Sequence, residues 1–399
     1  MSSQNLPHVR GFKFAARGAG IKKSGRLDLG LLYSEVPARC VGVFTTNRVV
    51  AAPLVVSMPR IRKGLCQAVL VNSGNANACT GEQGLRDALR CGELTAQALG
   101  IAEDLVAVAS TGVIGAPLPM AKFEQHIPLL PQQLDAGGAA SLAEAIRTTD
   151  AFAKISFRQG QAGGKPYQIL GLAKGAGMIH PNMATMLAYV VTDALVAPAL
   201  LDAALRRAVA CSFNAISVDG DTSTNDMVLL LSNGQAGTPE IQEQSAEAEI
   251  FVELLEEILV DLAKMIVRDG EGATKVVEIR VRGAADDAGA TQVARSVATS
   301  NLVKTAFFGE DANWGRIIAA VGYSGADIDP ARIDIFFDEV AVVRNGIGTG
   351  KELEEQATAV LKKPEFRVLI DLHLGGGAGV YYTSDLNYDY IKINADYRT

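Results

Sequence analysis

Short apolar runs bounded by turn residues recur along this chain of 399 residues, and they predict a fold with many β-strands. Three of these runs are Leu54–Ser57, Gln67–Val71 and Leu187–Thr192. Segments with helical periodicity lie between them, and the longest, Ala246–Val267, carries its apolar residues along one stripe. Strands and helices do not follow the regular βαβ alternation of a doubly wound parallel sheet. The pattern therefore favours an α+β fold built from layers of sheet and helix.

Two other segments show the apolar spacing of amphipathic helices. Gln83–Leu99 follows the small, polar loop Asn72–Gly81, which is suited to begin a helix. The spacing over Thr291–Phe307 predicts a second such helix.

The composition narrows the classes of function. The net charge is −7 and no long basic run is present, which argues against nucleic acid or an anionic membrane as the main partner. Apolar runs fall far short of the ~20 residues needed to span a bilayer. Five cysteines, an odd number without a C-x-x-C pair, are typical of reduced thiols, and residues 1–20 lack the apolar core of a secretory signal. We therefore expect a cytoplasmic protein.

The segment Lys174–Met186, rich in small residues, contains a residue pair with catalytic potential. If the bond between Ala184 and Thr185 were cut, Thr185 would carry a hydroxyl and a free α-amino group. An amine with a pKa near ~8 can act as the base for the neighbouring hydroxyl. Pro181 restrains the preceding turn, where backbone strain can distort a peptide bond. Most Ala-Thr pairs merely begin a buried strand, so these residues alone leave both interpretations open.

Six segments of the chain resemble, in the same order, the ornithine acetyltransferases, also called bifunctional glutamate N-acetyltransferases. The resemblance runs essentially from end to end of the chain. The segments are Gly42–Asn47, Asn72–Asn77, Ser110–Gly115, Lys174–Met186, Ser217–Asp226 and Asn394–Thr399.

The resemblance implies an acyltransferase of the cyclic arginine pathway. Its expected reaction moves an acetyl group from N2-acetyl-L-ornithine to L-glutamate, giving L-ornithine and N-acetyl-L-glutamate. The acetyl group would rest on Thr185 between two half-reactions, which predicts ping-pong kinetics. Thr185 would first become the chain's new N-terminus by autocatalytic cleavage after Ala184.

The resemblance also assigns roles to individual residues. Thr111 and Gly112 correspond to the oxyanion hole, where donors stabilise the charge on an attacked carbonyl. The residues expected to bind substrate are Thr148, Lys174, Thr185, Glu271, Asn394 and Thr399. Lysine suits a carboxylate as a compact point charge, and Glu271 suits a cationic amine such as the ornithine side chain. Without the family resemblance, the default interpretation of Lys174 is a surface lysine, and that of Glu271 is a solvated carboxylate in a turn.

The family fold implied is a layered αββα sandwich, shared with self-cleaving aminopeptidases. Cleavage would give an α chain, residues 1–184, and a β chain, residues 185–399, as pieces of one intertwined fold. The resemblance further implies a heterotetramer of two α and two β chains. The sequence shows no linker at residue 184.

We expect no cofactor, while acetyl-CoA stays open as a second acetyl donor. We also expect no metal, because the four histidines lack metal-ligand spacing. The acidic segment from Asp219 to Asp226 hints at a calcium loop, but it lacks the required Gly and the final Glu.

Two alternatives remain from the sequence. One is a related self-cleaving aminopeptidase or amidase, in which water and not glutamate accepts the acyl group. The other is a non-catalytic ligand-binding relative with the same fold, against which the presence of Thr185, Thr111 and Gly112 speaks.

Overall fold

The structure, a computed structural model, describes residues 8–179 and 186–395. These residues form two compact units, and each unit contains one β-sheet. The first unit comprises the described residues up to 175, then 186–214 and 222–263; the second comprises 176–179, 215–221 and 264–395.

The strands, in chain order, are β1 Phe12–Arg17, β2 Leu29–Phe44, β3 Leu65–Asn75, β4 Val106–Val113, β5 Lys154–Ala162, β6 Lys165–Lys174, β7 Leu187–Thr192, β8 Ile216–Ser217, β9 Met227–Ser232, β10 Val276–Ala284, β11 Asp334–Phe337, β12 Val340–Arg344, β13 Ile347–Gly348, β14 Glu365–Asp371 and β15 Gly377–Ser384. The α-helices are α1 Ala52–Ile61, α2 Gly81–Leu99, α3 Met120–His126, α4 Ala139–Ala145, α5 Pro198–Cys211, α6 Ala246–Arg268, α7 Asp287–Ala298, α8 Asn301–Phe308, α9 Trp314–Gly322, α10 Lys351–Leu361 and α11 Tyr388–Ala395.

The sheet of the first unit has eight strands in the order β4-β3-β2-β9-β7-β6-β5, with β1 paired to β2. Its neighbours β7 and β9 run parallel, and every residue of both is buried. A strand covered on both faces has no solvent side, so it reads as a continuous apolar run instead of an alternating one. This explains the sequence of β9, Met-Val-Leu-Leu-Leu-Ser.

Among the described residues, at least two apolar cores belong to this sheet. One gathers Phe12, Leu142 and Leu170 with the inward residues of the central strands. The other contains Leu70 and Phe123. Because both cores form from distant parts of the sequence, the strand ends described below are held by long-range packing.

The sheet of the second unit has seven strands in the order β13-β12-β11-β14-β10-β15-β8. Val277, Ile279 and Val281 alternate along β10 and are fully buried in one apolar core with residues of α7 and α9. The predicted α+β class is confirmed: two sheets with packed helices are consistent with the layered sandwich. No described helix is both long and apolar enough to cross a bilayer.

Two predicted elements were wrong in detail. Leu54–Ser57 lies in helix α1 and not in a strand. So short an apolar run fits either a helix or a strand. Pro53 favours the helix, because it lies in the first turn, where a backbone N–H has no partner within the helix and its absence costs nothing. The single helix expected over Thr291–Phe307 is two helices, because Ser300 caps α8 by accepting a hydrogen bond from the Val303 amide.

Candidate active site

Two of the predicted site residues meet in the first unit. Thr111 lies near the end of β4, Lys174 is the last residue of β6, and both are buried. The Lys174 ammonium nitrogen is 3.5 Å from the Thr111 hydroxyl oxygen, so the lysine can donate a hydrogen bond to it. The same nitrogen is 4.0 Å from Oδ2 of Asp150, a residue that the sequence did not indicate.

Asp150 is the centre of this cluster. Its Oδ1 accepts hydrogen bonds from the Lys154 ammonium at 2.8 Å and from the Gly175 amide at 2.6 Å. Burial alone would raise the pKa of Asp150, but the charges of Lys174 and Lys154 outweigh burial and hold the pKa well below its usual range. The carboxylate therefore stays ionised between two buried lysine side chains.

Thr148 belongs to the same cluster. Its amide nitrogen donates to Oδ2 of Asp150 at 2.9 Å, and its hydroxyl lies 3.4 Å from that oxygen. Arg147 fixes the same turn, because its guanidinium donates two hydrogen bonds to the Asp150 carbonyl oxygen. The structure thus places the predicted Thr148 and Lys174 beside one carboxylate, and the predicted Thr111 beside Lys174.

Gly112 follows Thr111 at a point where no larger residue fits. Its φ is 132°, in the region that favours glycine, and an added Cβ would lie 2.4 Å from the Gly74 carbonyl carbon. The backbone of β4 therefore passes tightly against β3 at the predicted oxyanion position.

Asparagines of two family-like segments support this strand end. Asn225 donates from Nδ2 to the carbonyl oxygens of Ser110, at 2.8 Å, and Ala76, at 2.7 Å. The Ser110 hydroxyl in turn donates to Asn72 at 2.6 Å. All three polar side chains are buried, so satisfied hydrogen bonds fix the backbone next to Thr111.

Ala184 and Thr185, the predicted cleavage pair, lie outside the described residues. The residue that follows them, Met186, donates its amide hydrogen to Oδ1 of Asp226 at 2.9 Å. Asp226 is buried directly before β9. Burial raises the pKa of Asp226 well above its ordinary value, although the Met186 amide and the Lys174 charge oppose the shift.

The second unit holds another pair of predicted residues. Asn394, in α11, donates from Nδ2 to Oε2 of Glu271 at 2.8 Å, and the Glu271 amide donates to the Ala176 carbonyl oxygen. A Cβ on Gly177 would lie 2.5 Å from the Glu271 carboxyl group, so only glycine allows this approach. Glu271 is buried, which speaks against the alternative of a solvated turn carboxylate. Thr399 lies outside the described residues.

Asp219, also in the second unit, holds the backbone just before residue 180. Its two carboxylate oxygens accept from the amides of Met178, at 2.6 Å, and Ile179, at 2.7 Å. Burial raises the pKa of Asp219. The segment that resembled an incomplete calcium loop therefore supplies backbone anchors, and no group of three metal-ligating side chains occurs among residues 8–179 and 186–395.

Sequence reasoning missed Asp150, Lys154 and Asp226. A faint signal existed for Asp226, because a carboxylate placed directly before a fully apolar strand needs a specific partner. No comparable signal marked Asp150, whose partners become neighbours only through strand pairing.

The chain has clear relatives. The sequence model of the ArgJ family matches residues 13–399. The arginine biosynthesis bifunctional protein ArgJ of Syntrophotalea carbinolica is 66% identical over 391 residues, which cover 98% of this chain and 99% of that protein. The protein of the same name from Geobacter sulfurreducens is 57% identical over 392 residues, covering 98% and 100%. The crystal structure of argJ from Bacillus halodurans is 44% identical, with a TM-score of 0.51, covering 52% of this chain and 97% of that one.

Proposed function

The chain belongs to the ArgJ family of arginine-biosynthesis acetyltransferases, and we propose that it transfers acetyl from N2-acetyl-L-ornithine to L-glutamate through Thr185. The observation that carries this proposal is the buried Thr111–Lys174–Asp150 cluster, with a hydroxyl and an ammonium group 3.5 Å apart. Such a site supplies a donor for a developing oxyanion and a charge for a substrate carboxylate.

The first chemical event we propose is self-cleavage. The Thr185 hydroxyl attacks the Ala184 carbonyl carbon and the C–N bond breaks, so that the amine leaves with the hydroxyl proton and an ester remains. Water hydrolyses this ester, which frees the Thr185 hydroxyl and a carboxylate on residue 184.

Turnover then proceeds in two half-reactions. The Thr185 hydroxyl attacks the acetyl carbonyl of N-acetylornithine, and ornithine leaves with its amine protonated by the transferred hydrogen. The amine of glutamate next attacks the acetyl ester, giving N-acetylglutamate and restoring the hydroxyl. The freed α-amino group of Thr185 acts as the base in each step.

We assign the substrate contacts as follows. Thr111 and Gly112 stabilise the oxyanion, while Lys174 and Thr148 bind the α-carboxylate. In the second unit, the buried Glu271, oriented by Asn394, offers a carboxylate for the ornithine side-chain amine. Thr399 is assigned to substrate binding from the resemblance alone.

No cofactor is part of this proposal, and acetyl-CoA stands as a possible second donor. We further propose that two copies of each fragment assemble in the cytoplasm, a reducing compartment that the five free cysteines favour. The fragment boundaries are residues 1–184 and 185–399.

Mass spectrometry combined with an acetyl-transfer assay tests the function. We expect a fragment that begins at residue 185, ornithine release that requires N-acetylornithine, and N-acetylglutamate formation that requires glutamate. Equal acetate release with and without glutamate would instead identify a hydrolase. An uncleaved, inactive chain would identify a binding protein.

A further inference from the structure

A charged cavity lies in the first unit next to the Asp150 cluster. Its volume is about 380 Å³, and its lining residues are Lys22, Arg26, Leu27, Glu144, Arg147 and Thr148. Thr148 is the residue common to the cavity and the cluster. The cavity is thus continuous with residues proposed to bind substrate.

The cavity has a surplus of positive charge. Arg147 is already engaged, since it pairs with Glu144 and donates to the Asp150 carbonyl oxygen. Lys22 and Arg26, by contrast, have no carboxylate within ion-pair distance in the described part of the chain. Asp28 and Asp150 act on Lys22 only from beyond ion-pair distance, so neither cation has a directly paired anion among the described residues.

The Lys22 ammonium is held in place. Its amide donates to Oδ2 of Asp28 at 2.9 Å, and its Nζ donates to the Leu27 carbonyl oxygen at 3.0 Å. The other Asp28 oxygen accepts from the Ala19 amide, so this buried carboxylate fixes the loop on both sides. Burial, together with the charges of Arg26 and Lys174, lowers the pKa of Lys22 to about 8, although Asp28 and Asp150 oppose the shift. An anion beside Lys22 would relieve this cost.

We propose that this cavity binds a second anionic group of the substrate, a carboxylate or a phosphate, at Lys22 and Arg26. The inference rests on the proposed function and adds a subsite to it. N-acetylornithine has a single carboxylate, for which Lys174 is assigned. Glutamate has a second carboxylate, and acetyl-CoA has phosphates, so either of these substrates supplies the anion that the cavity lacks.

A comparison of acceptors tests the subsite. Glutamine matches glutamate in size but lacks the side-chain charge, so the wild type should prefer glutamate, and Lys22→Met/Arg26→Ala should lose that preference. We expect the KM of the double variant for glutamate to rise about tenfold or more, because the variant loses the ionic contact with the side-chain carboxylate. The KM for N-acetylornithine should change less than about twofold.

A second arm identifies the source of the anion. If the same variant raises the KM for acetyl-CoA but not for acetylpantetheine, which lacks the nucleotide phosphates, the site binds phosphate. A matched control is Lys165→Met, because Lys165 is an exposed lysine outside the cavity whose ammonium contacts the Gly237 carbonyl. It should leave every KM unchanged.

Calorimetric titration with glutamate gives a readout that does not depend on turnover. Weaker glutamate binding by the double variant than by the wild type and Lys165→Met supports the subsite. Unchanged binding of glutamate, with unchanged KM for both glutamate and acetyl-CoA, overturns it. A wild type that binds glutamate but transfers no acetyl group would refute the proposed function alone.

Discussion

The amide nitrogen of Met186 lies 2.9 Å from Oδ1 of Asp226. Asp226 is buried, with 2% of its surface exposed. That nitrogen belongs to the peptide group that joins Met186 to Thr185. Met227, next to Asp226, donates its amide hydrogen to the Met186 carbonyl oxygen, so β7 and β9 begin side by side. The backbone directly after the proposed nucleophile is therefore fixed by a buried carboxyl group.

Replacing Asp226 with Asn should slow self-cleavage by about tenfold or more, because Asn can still accept the Met186 amide hydrogen but cannot exchange a proton with its surroundings. Stability should respond differently. An acid whose native pKa is raised opposes folding above its unfolded pKa, because the native state disfavours its ionised form. The neutral Asn avoids this cost, so the unfolding temperature at pH 7 should not fall. Densitometry of the fragments over time and thermal unfolding measure the two effects.

Asp193 provides the matched control. It is buried just after β7, and its oxygens accept from the amides of Gln168, at 2.7 Å, and Arg10, at 3.3 Å. Burial raises the pKa of Asp193 as it does that of Asp226. Asp193→Asn should leave the cleavage rate unchanged. Equal slowing in both variants would show a general packing effect and contradict a specific role for Asp226.

Thr111→Val keeps the shape of the side chain but removes its hydroxyl. If that hydroxyl stabilises the oxyanion, kcat should fall about 100- to 1000-fold. The control is Thr192→Val at the end of β7, where the hydroxyl donates to the Gln168 carbonyl oxygen at 2.8 Å. That change should cost about 1 kcal/mol of unfolding free energy and leave kcat intact. Full activity in Thr111→Val would remove its side chain from the mechanism.

The Lys154–Asp150 pair predicts a stability effect. Both side chains are fully buried and 2.8 Å apart, so Lys154→Met leaves a buried carboxylate with one ammonium fewer. We expect a loss of about 3–5 kcal/mol in unfolding free energy, measured by denaturant titration. Because the native pKa of Asp150 is depressed, its stabilising contribution is present above its unfolded pKa and is lost as pH falls below it. The acid side of the stability profile should therefore flatten in this variant.

An exposed pair serves as the comparison. Lys63 and Asp104 are 3.3 Å apart, with 62% and 52% of their side chains exposed. Lys63→Met should change the unfolding free energy by about 0–1 kcal/mol. Similar losses in the two lysine variants would mean that the buried pair contributes no more than a solvated one.

Local pattern was sufficient for elements whose period is unambiguous. The predicted strand Leu187–Thr192 has the same bounds as β7. A short, mostly apolar run is typical of a strand covered on both faces, and all six residues are buried. The strand predicted at Leu54–Ser57 was wrong, because a run this short has no unambiguous period. Three apolar residues and a serine fit one helical turn as well as a strand, and the packing of α1 decides between them.

The active-site cluster required more than local pattern. Thr111 and Lys174 are separated by 63 positions, and their 3.5 Å contact depends on the pairing of six strands. The family resemblance identified both residues, because the family's segments already mark which positions meet in the folded protein. Asp150 and Asp226 stayed hidden, since a carboxylate in a loop looks solvated until its long-range neighbours are known.

Lys22 makes the proposed anion subsite sensitive to pH. Its pKa of about 8 means that the side chain is charged below that value and neutral above it. The groups that act on it are Asp28, Asp150, Arg26 and Lys174. Inhibition by glutarate, whose carboxylates stay ionised from about pH 6 to 9, should weaken as pH rises through about 8. In Lys22→Met, inhibition should be weaker at pH 7 and nearly independent of pH. A variant that retained the wild-type profile would assign the titration to another group.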